Sequence, residues 1–299
     1  MSVESIDFDV TDQRRRPGEP AAVRKPEHLL GSLLVAQGVL TEDDIGRVLV
    51  EQQRSKELFG ATAKRLGLVR EEQLVLALSV QYEFPLSLGK IEVGRELFMA
   101  HDPFSARAEA IRTLRSELLL RFLGDQRKTI ALVSPTDKEG RSVTAANLAI
   151  AFAQAGERTL LIDANLRAPR QGDLFRVVEG PGLSSILAGR VSVKDAIFAA
   201  DPFNDLAVLC AGPHAPNPQE LLGRVTFSYL MESLPASFDV VLVDTPALLP
   251  FADAQIIAAR AGACVLTTRT NRTRLNELNA CKSKLTSAGV DILGVVVND

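Results

Sequence analysis

A hydroxyl, an arginine and two aspartates carry the chemistry that this sequence suggests. In SPTDKEGRSVTAANLA, Gly140 closes a turn, and Arg141 and Ser142 open a helical run. The backbone N–H groups of such a turn, with the helix N-terminus behind them, make an anion site. Asp137, Lys138, Glu139, Gly140, Arg141, Ser142 and Val143 form a candidate phosphate cradle. The phosphate-loop pattern GxxxxGK[ST] puts its final glycine at Gly140 and its hydroxyl at Ser142. Arg141 occupies the lysine position and Pro135 the first glycine. Taken alone, the segment fits an ordinary strand-to-helix turn as well as a phosphate site.

Two later segments favour the phosphate reading. LLIDANLR ends a strand-like run with Asp163 and Asn165, and FDVVLVDTPALL ends another with Asp244. Ligands of open α/β sheets bind outside the carboxyl ends of the strands. A hydroxyl and carboxylates gathered there are the hard oxygen ligands that Mg²⁺ on phosphates requires. Ser142, Asp163 and Asp244 are therefore the candidate metal ligands.

The elements that must position these residues are legible as a pattern. KTIALV, RTLLID, LAVLC, DVVLVD, ACVLT and DILGVVVN are short, mostly apolar, β-branched runs separated by helical stretches. That alternation predicts an α/β fold with a mostly parallel sheet flanked by helices on both faces. Ahead of it, residues 29–81 hold an internal repeat. Leu29–Gln52 aligns with Leu58–Gln81 at an offset of 29 positions, pairing Gly31 with Gly60, Gly38 with Gly67, Ile45 with Leu74 and Leu49 with Leu78. Each copy reads as helix, glycine turn, helix, with Thr41 as an N-cap, so a small four-helix domain is expected. The chain divides into a polar tail over 1–27, this helical domain over 28–88, a Gly- and Pro-containing linker over 89–103, and the α/β domain over 104–299. The basic run Arg14–Arg16 suits either a solvated tail or contact with an anionic surface.

Composition narrows the function classes. A net charge of −3 gives no electrostatic case for nucleic-acid binding. Cys210, Cys264 and Cys281 are widely spaced, which indicates neither a disulfide framework nor a zinc site. His28, His101 and His214 are scattered and suggest no metal site. No apolar run approaches the ~20 residues needed to span a bilayer, and the start lacks a signal-peptide core. A cytoplasmic protein is expected, reaching the inner membrane only through a partner.

Several motifs in order resemble one family. DKEGRSV-TAANLA resembles the PGEGKST-TAANLA loop of the bacterial tyrosine kinases of capsule and exopolysaccharide synthesis, which are related to the cell-division and partition ATPases. LLIDANLRAPR resembles their LLIDADLRRPR, VVLVDTPALLPFADA their Walker B stretch, and GPHAPNPQELL their GxxPPNPxELL. The resemblance implies ATP and Mg²⁺ as cofactors and a role in polysaccharide chain length. It also implies docking on a polysaccharide chain-length or export membrane protein. Glu109, Arg112 and Arg115 match the family's ExxRxxR helix, which implies a homo-oligomer interface. Asn298 stands where related ATPases contact adenine. The catalytic set implied is Arg141, Asp163, Asn165 and Asp244. A partition-type ATPase is disfavoured by PNPQELL, EAIRTLR and the missing lysine signature early in the loop.

The repeat resembles the tandem RLGxxLLxxGLLxxxxLxxxLxxQ module of secretion and pilus ATPases, which binds cyclic di-GMP in its best-known form. Leu29 and Leu58 replace the arginines that would clamp that ligand, so a helical docking domain is expected here.

Three departures bear on the chemistry. Arg141 replaces the loop lysine, and arginine is longer and planar. Asn165 replaces a carboxylate with an amide that cannot accept a proton at neutral pH. The family's C-terminal tyrosine cluster has no counterpart, since the two tyrosines are Tyr82 and Tyr229. Two functions compete: an ATP-dependent tyrosine kinase, and a degenerate, nucleotide-gated scaffold.

Overall fold

The computed structural model describes residues 30–70, 73–74, 77, 92–123, 127–177 and 180–299. Two compact units separate within the chain, one over residues 11–90 and one built from residue 91 onward.

The first unit contains α1 (Leu30–Ala36), α2 (Glu42–Ser55) and α3 (Phe59–Arg65). Its repeat is visible in the backbone. Val39 N–H donates to Leu34 O and Gly38 N–H to Val35 O, and Leu68 and Gly67 repeat both bonds onto Ala63 and Lys64. Gly38 and Gly67 both take positive φ, at 67° and 69°, which is cheap only for glycine. Thr41 caps α2, accepting from Asp44 N–H while its own N–H donates to the Asp44 carboxylate. Leu34, Leu40, Val48, Ala63, Val69 and Ala77 form the core. The polar tail, the basic run and most of the expected fourth helix lie outside the described residues.

The second unit is built on a seven-stranded sheet, with strands β1 (Thr129–Val133), β2 (Thr159–Asp163), β3 (Ile197–Ala199), β4 (Leu206–Leu209), β5 (Val240–Asp244), β6 (Ala263–Arg269) and β7 (Asp291–Asn298). Their order is β3-β4-β2-β5-β1-β6-β7. Every pairing is parallel except β3 with β4. The fold is the expected α/β sheet, and the antiparallel β3 is the strand that sequence patterning missed.

β1, β2 and β5 are buried along their whole length. Their side chains alternate between faces with period two. Ile130, Leu132, Leu161 and Leu242 enter one core, under α4 (Phe98–His101), α5 (Ala106–Arg121) and α6 (Arg141–Ala153). Leu160, Ile162, Val241 and Val243 enter another core on the opposite face. Burying each such side chain is worth about 1.5–3 kcal/mol, which explains runs without polar interruptions.

Residues 93–100 of the segment read as a linker pack into this core. Val93, Leu97, Met99 and Ala100 are buried in it, and Asn147 accepts from Met99 N–H at 2.9 Å. Its glycines and proline suggested a spacer, but the apolar run Leu97–Ala100 lies between them and folds inward.

Candidate functional site

β2 and β5 are adjacent and in register, so Asp163 sits directly opposite Asp244 at the carboxyl edge of the sheet. Beside them, β1 leaves the sheet through Ser134 and turns into α6 at Gly140. Two buried carboxylates so close would repel each other, and the chain supplies donors to both.

Arg141, the first residue of α6, turns its side chain inward. Its Nε donates to Asp244 Oδ1 at 3.1 Å, and its Nη1 donates to Ser134 Oγ at 2.6 Å. Both members of the pair are buried, at 6% and 0% side-chain exposure. Gln171, at the start of α7 (Gln171–Phe175), donates from Nε2 to Asp244 Oδ2 at 2.8 Å and to Ser142 O at 3.1 Å. Its Oε1 is buried and has no partner among the described residues.

Asp163 is held by backbone. Oδ1 accepts from Asn165 N–H at 3.2 Å, and Oδ2 accepts from Arg170 N–H at 2.8 Å and Gln171 N–H at 2.9 Å. Burial, and then the charge of Asp244, push its pKa up to about 7, against the pull of those three N–H groups. Asn165 has its amide turned into its own loop, donating to Ala168 O at 2.7 Å and accepting from Ala168 N–H at 3.1 Å.

The loop over Asp137–Gly140 has the geometry of an anion cradle. Lys138 and Gly140 both take positive φ, at 64° and 82°. Among the described residues no hydrogen bond takes the amides of Lys138 or Gly140. The first amides of α6, from Arg141 to Val143, have no partner inside a helix. Gly140 sits at a φ of 82°, where any other residue is strained, and a Cβ there would stand 2.6 Å from Asn298 Nδ2.

The loop is braced from the β7 side. Asn298 Nδ2 donates to Glu139 O at 2.8 Å. The Glu139 carboxylate is buried and accepts from Thr136 N–H, from Thr136 Oγ1 at 3.0 Å, and from Thr273 Oγ1 at 2.7 Å. On the far side of the site, Arg167 makes a two-pronged pair with Asp253, at 2.7 and 3.1 Å, and lies 4.1 Å above the Phe251 ring.

A phosphate group fits this cradle, whose donors are open and whose glycine cannot be replaced without a clash. The donor set beside it is of the hard-oxygen kind that a magnesium ion takes, the Ser142 hydroxyl at the second position of α6 and the carboxylates at the ends of β2 and β5. Asp163 Oδ2 accepts two N–H bonds, whereas Asp163 Oδ1 and both oxygens of Asp244 accept one each and keep a second lone pair. Of the expected metal ligands, Ser142 is half-buried, at the second position of α6.

The residues expected at an oligomer interface lie on α5. Glu109 is exposed and pairs with Arg112 at 2.7 Å, and Arg112 donates to Pro103 O at 2.6 Å. Arg115 donates to Ala151 O at 3.1 Å and so ties α5 to α6. Burial lowers the Arg115 pKa from its ordinary value. Cys264 and Cys281 are buried and Cys210 is half-buried, and burial pushes all three thiols up to about 12.

Sequence reasoning found Arg141, Asp163, Gly140 and Asp244, which the structure brings together, and Asn298, which it places against the loop. It missed Gln171, Ser134 and the Glu139–Thr273 contact. No motif marks Gln171; its position eight residues beyond Asp163 matters only once the loop wraps back.

A parallel sheet with a glycine turn, an open helix N-terminus and aspartates at neighbouring strand ends defines a P-loop nucleotide-binding domain. No family model matches the chain. It is 33% identical over 202 residues to a putative tyrosine-protein kinase, CapB of Staphylococcus aureus, covering 68% of this chain and 88% of that protein. It is 35% identical over 204 residues to the tyrosine-protein kinase YwqD of Bacillus subtilis, covering 68% and 86%. The solved kinase domain of the Escherichia coli tyrosine kinase ETK superposes with a TM-score of 0.67 at 28% identity, covering 74% of this chain and 86% of that one. The chain belongs to the bacterial tyrosine-protein kinase family of P-loop ATPases. No helix among the described residues is long and apolar enough to cross a membrane.

Proposed function

We propose that this protein binds ATP in the Gly140 loop but transfers its phosphoryl group poorly, and acts as a nucleotide-gated scaffold in exopolysaccharide export. The observation that carries this reading is the inward turn of Arg141. A loop lysine serves phosphoryl transfer by lying along the β- and γ-phosphates. Here the guanidinium at that position is engaged by Asp244 and Ser134. Phosphate contacts then fall to the backbone amides and the helix end, which bind an anion well without following charge to a leaving group.

Asn165 supports the same reading. Its amide is committed to the turn at Ala168 and has no carboxylate with which to take a proton. In this reading α5 mediates self-assembly, with Glu109 as its exposed acid, and the protein docks on a polysaccharide chain-length or export membrane protein. The helical repeat unit is a docking domain. Cyclic di-GMP binding there is not part of the proposal, because Leu29 and Leu58 offer no charge.

A working tyrosine kinase is the second reading, favoured by the direct opposition of Asp163 and Asp244. Titration with a fluorescent ATP analogue, run beside a phosphate-release assay, separates the two. Saturable binding without release above the buffer control supports the scaffold; release above it supports the kinase.

A further inference from the structure

We infer that Gln171 is a positioning residue for the cation that accompanies the nucleotide: its amide nitrogen spaces the carboxylates and its amide oxygen accepts a hydrogen bond from a water on the ion. This inference rests on the reading that the Gly140 loop binds nucleotide.

Gln171 touches all three expected metal-ligand residues. Its backbone N–H donates to Asp163 Oδ2 at 2.9 Å. Its Nε2 donates to Asp244 Oδ2 at 2.8 Å and to the Ser142 carbonyl at 3.1 Å. One residue therefore ties the ends of β2 and β5 to the start of α6. It does so without using up the oxygens that an ion takes. Asp163 Oδ1 and Asp244 Oδ2 each keep a lone pair, and the Ser142 hydroxyl makes no hydrogen bond among the described residues.

The orientation of the Gln171 amide is fixed by its partners. A carboxylate and a carbonyl both accept, so the nitrogen must face them and cannot change places with the oxygen. Oε1 is then left on a fully buried residue with no donor among the described residues. A buried acceptor in that condition is costly unless a ligand or an ordered water satisfies it. Mg²⁺ keeps several waters when it binds beside one or two carboxylates, and the ion makes those waters strong donors. Oε1 is two bonds from the nitrogen held by Asp244, within reach of the water shell of an ion at that carboxylate. Groups that hold the outer shell of a metal site are worth about 10–100-fold in metal affinity.

The test uses the full chain with ADP and Mn²⁺ standing in for Mg²⁺, and reads immobilised Mn²⁺ by electron paramagnetic resonance. The wild type should immobilise Mn²⁺ in the presence of ADP. Gln171→Met keeps the length of the side chain and removes both amide groups. It should weaken Mn²⁺ binding in the ADP complex at least about tenfold, while a fluorescent ADP analogue in EDTA binds within about threefold of the wild type. Gln171→Asn, whose amide stops one carbon short, serves in its place should the Met variant not fold, with the same loss expected. Gln171→Glu restores the oxygen but not the donor, and should recover most of the Mn²⁺ affinity. Mn²⁺ affinity unchanged in Gln171→Met, or lost equally in Gln171→Met and Gln171→Glu, would overturn the inference and leave Gln171 a brace. A wild type that binds the ADP analogue yet leaves Mn²⁺ as free ion would also overturn it, with nucleotide binding intact. Absence of analogue binding with and without the metal would overturn the nucleotide reading and this inference together.

Discussion

The Arg141 guanidinium and the Asp244 carboxylate face each other in the protein interior, Nε 3.1 Å from Oδ1, where the phosphate loop meets the end of β5. Ser134 holds the other arm of the fork at 2.6 Å. One residue of the loop is therefore an anchor of the sheet edge, and its substitution has two separable consequences.

Removing the guanidinium leaves Asp244 buried without its counter-charge. Arg141→Ala should lower the unfolding free energy by about 3–5 kcal/mol. Arg141→Lys retains a charge and should cost less than half of that. Urea unfolding of both variants beside the wild type checks the ordering; equal losses would mean that the ion pair contributes nothing specific.

The loop itself is held by Gly140 and by the brace behind it. Gly140→Ala places a methyl group against Asn298 at a φ of 82°, so it should cost about 1–2 kcal/mol and reduce nucleotide affinity at least about tenfold. Thr273→Val removes the 2.7 Å bond to the buried Glu139 carboxylate and should cost about 1–3 kcal/mol. Calorimetric melting and analogue titration read both effects. A Thr273→Val variant that melts and binds like the wild type would show the brace to be idle.

The sequence makes the fold far more legible than the site. Unbroken apolar runs such as VVLVD state that a strand is covered on both faces, and alternation with helices states that the sheet is parallel. β3 escaped because Ile-Phe-Ala is too short to show a period. Residues 93–101 escaped because glycine and proline drew attention away from Leu97 and Met99. At the site, Asp163, Asp244 and Gly140 stand out by their place at strand ends and turns. What Arg141 does is not legible, since one side chain can reach a phosphate or fold back on Asp244, and only the packed edge decides. Gln171 and Thr273 belong to other loops, and nothing local marks them.

Asp163 gives the stability a pH dependence of definite sign. Its folded pKa of about 7 lies above the unfolded value, near 3.8, so the native state holds the proton over that interval. The corresponding stability is fully present below pH ~4 and is lost as the pH rises toward and through about 7. Asp163→Asn should flatten the unfolding free energy across this window, whatever its absolute effect. Chemical denaturation in EDTA at several pH values tests this, and an unchanged slope in the variant would assign the effect elsewhere.

In the repeat unit, the cap of α2 is a local test of the helix boundaries. Thr41→Ala removes the hydroxyl that accepts from Asp44 N–H at 3.2 Å and should destabilise that unit by about 1 kcal/mol. Amide hydrogen exchange across residues 42–48 should rise in the variant, and no change would argue that the cap is dispensable.

Phosphate release under saturating ATP, measured for the wild type and for the Arg141→Lys, Asn165→Asp double variant, is the most direct test of binding without transfer. The expected result is a wild type that binds ATP yet releases no phosphate above the buffer control, with measurable release in the double variant. Steady release by the wild type at a rate matching or exceeding the double variant would contradict the view that Arg141 is withheld from the phosphates.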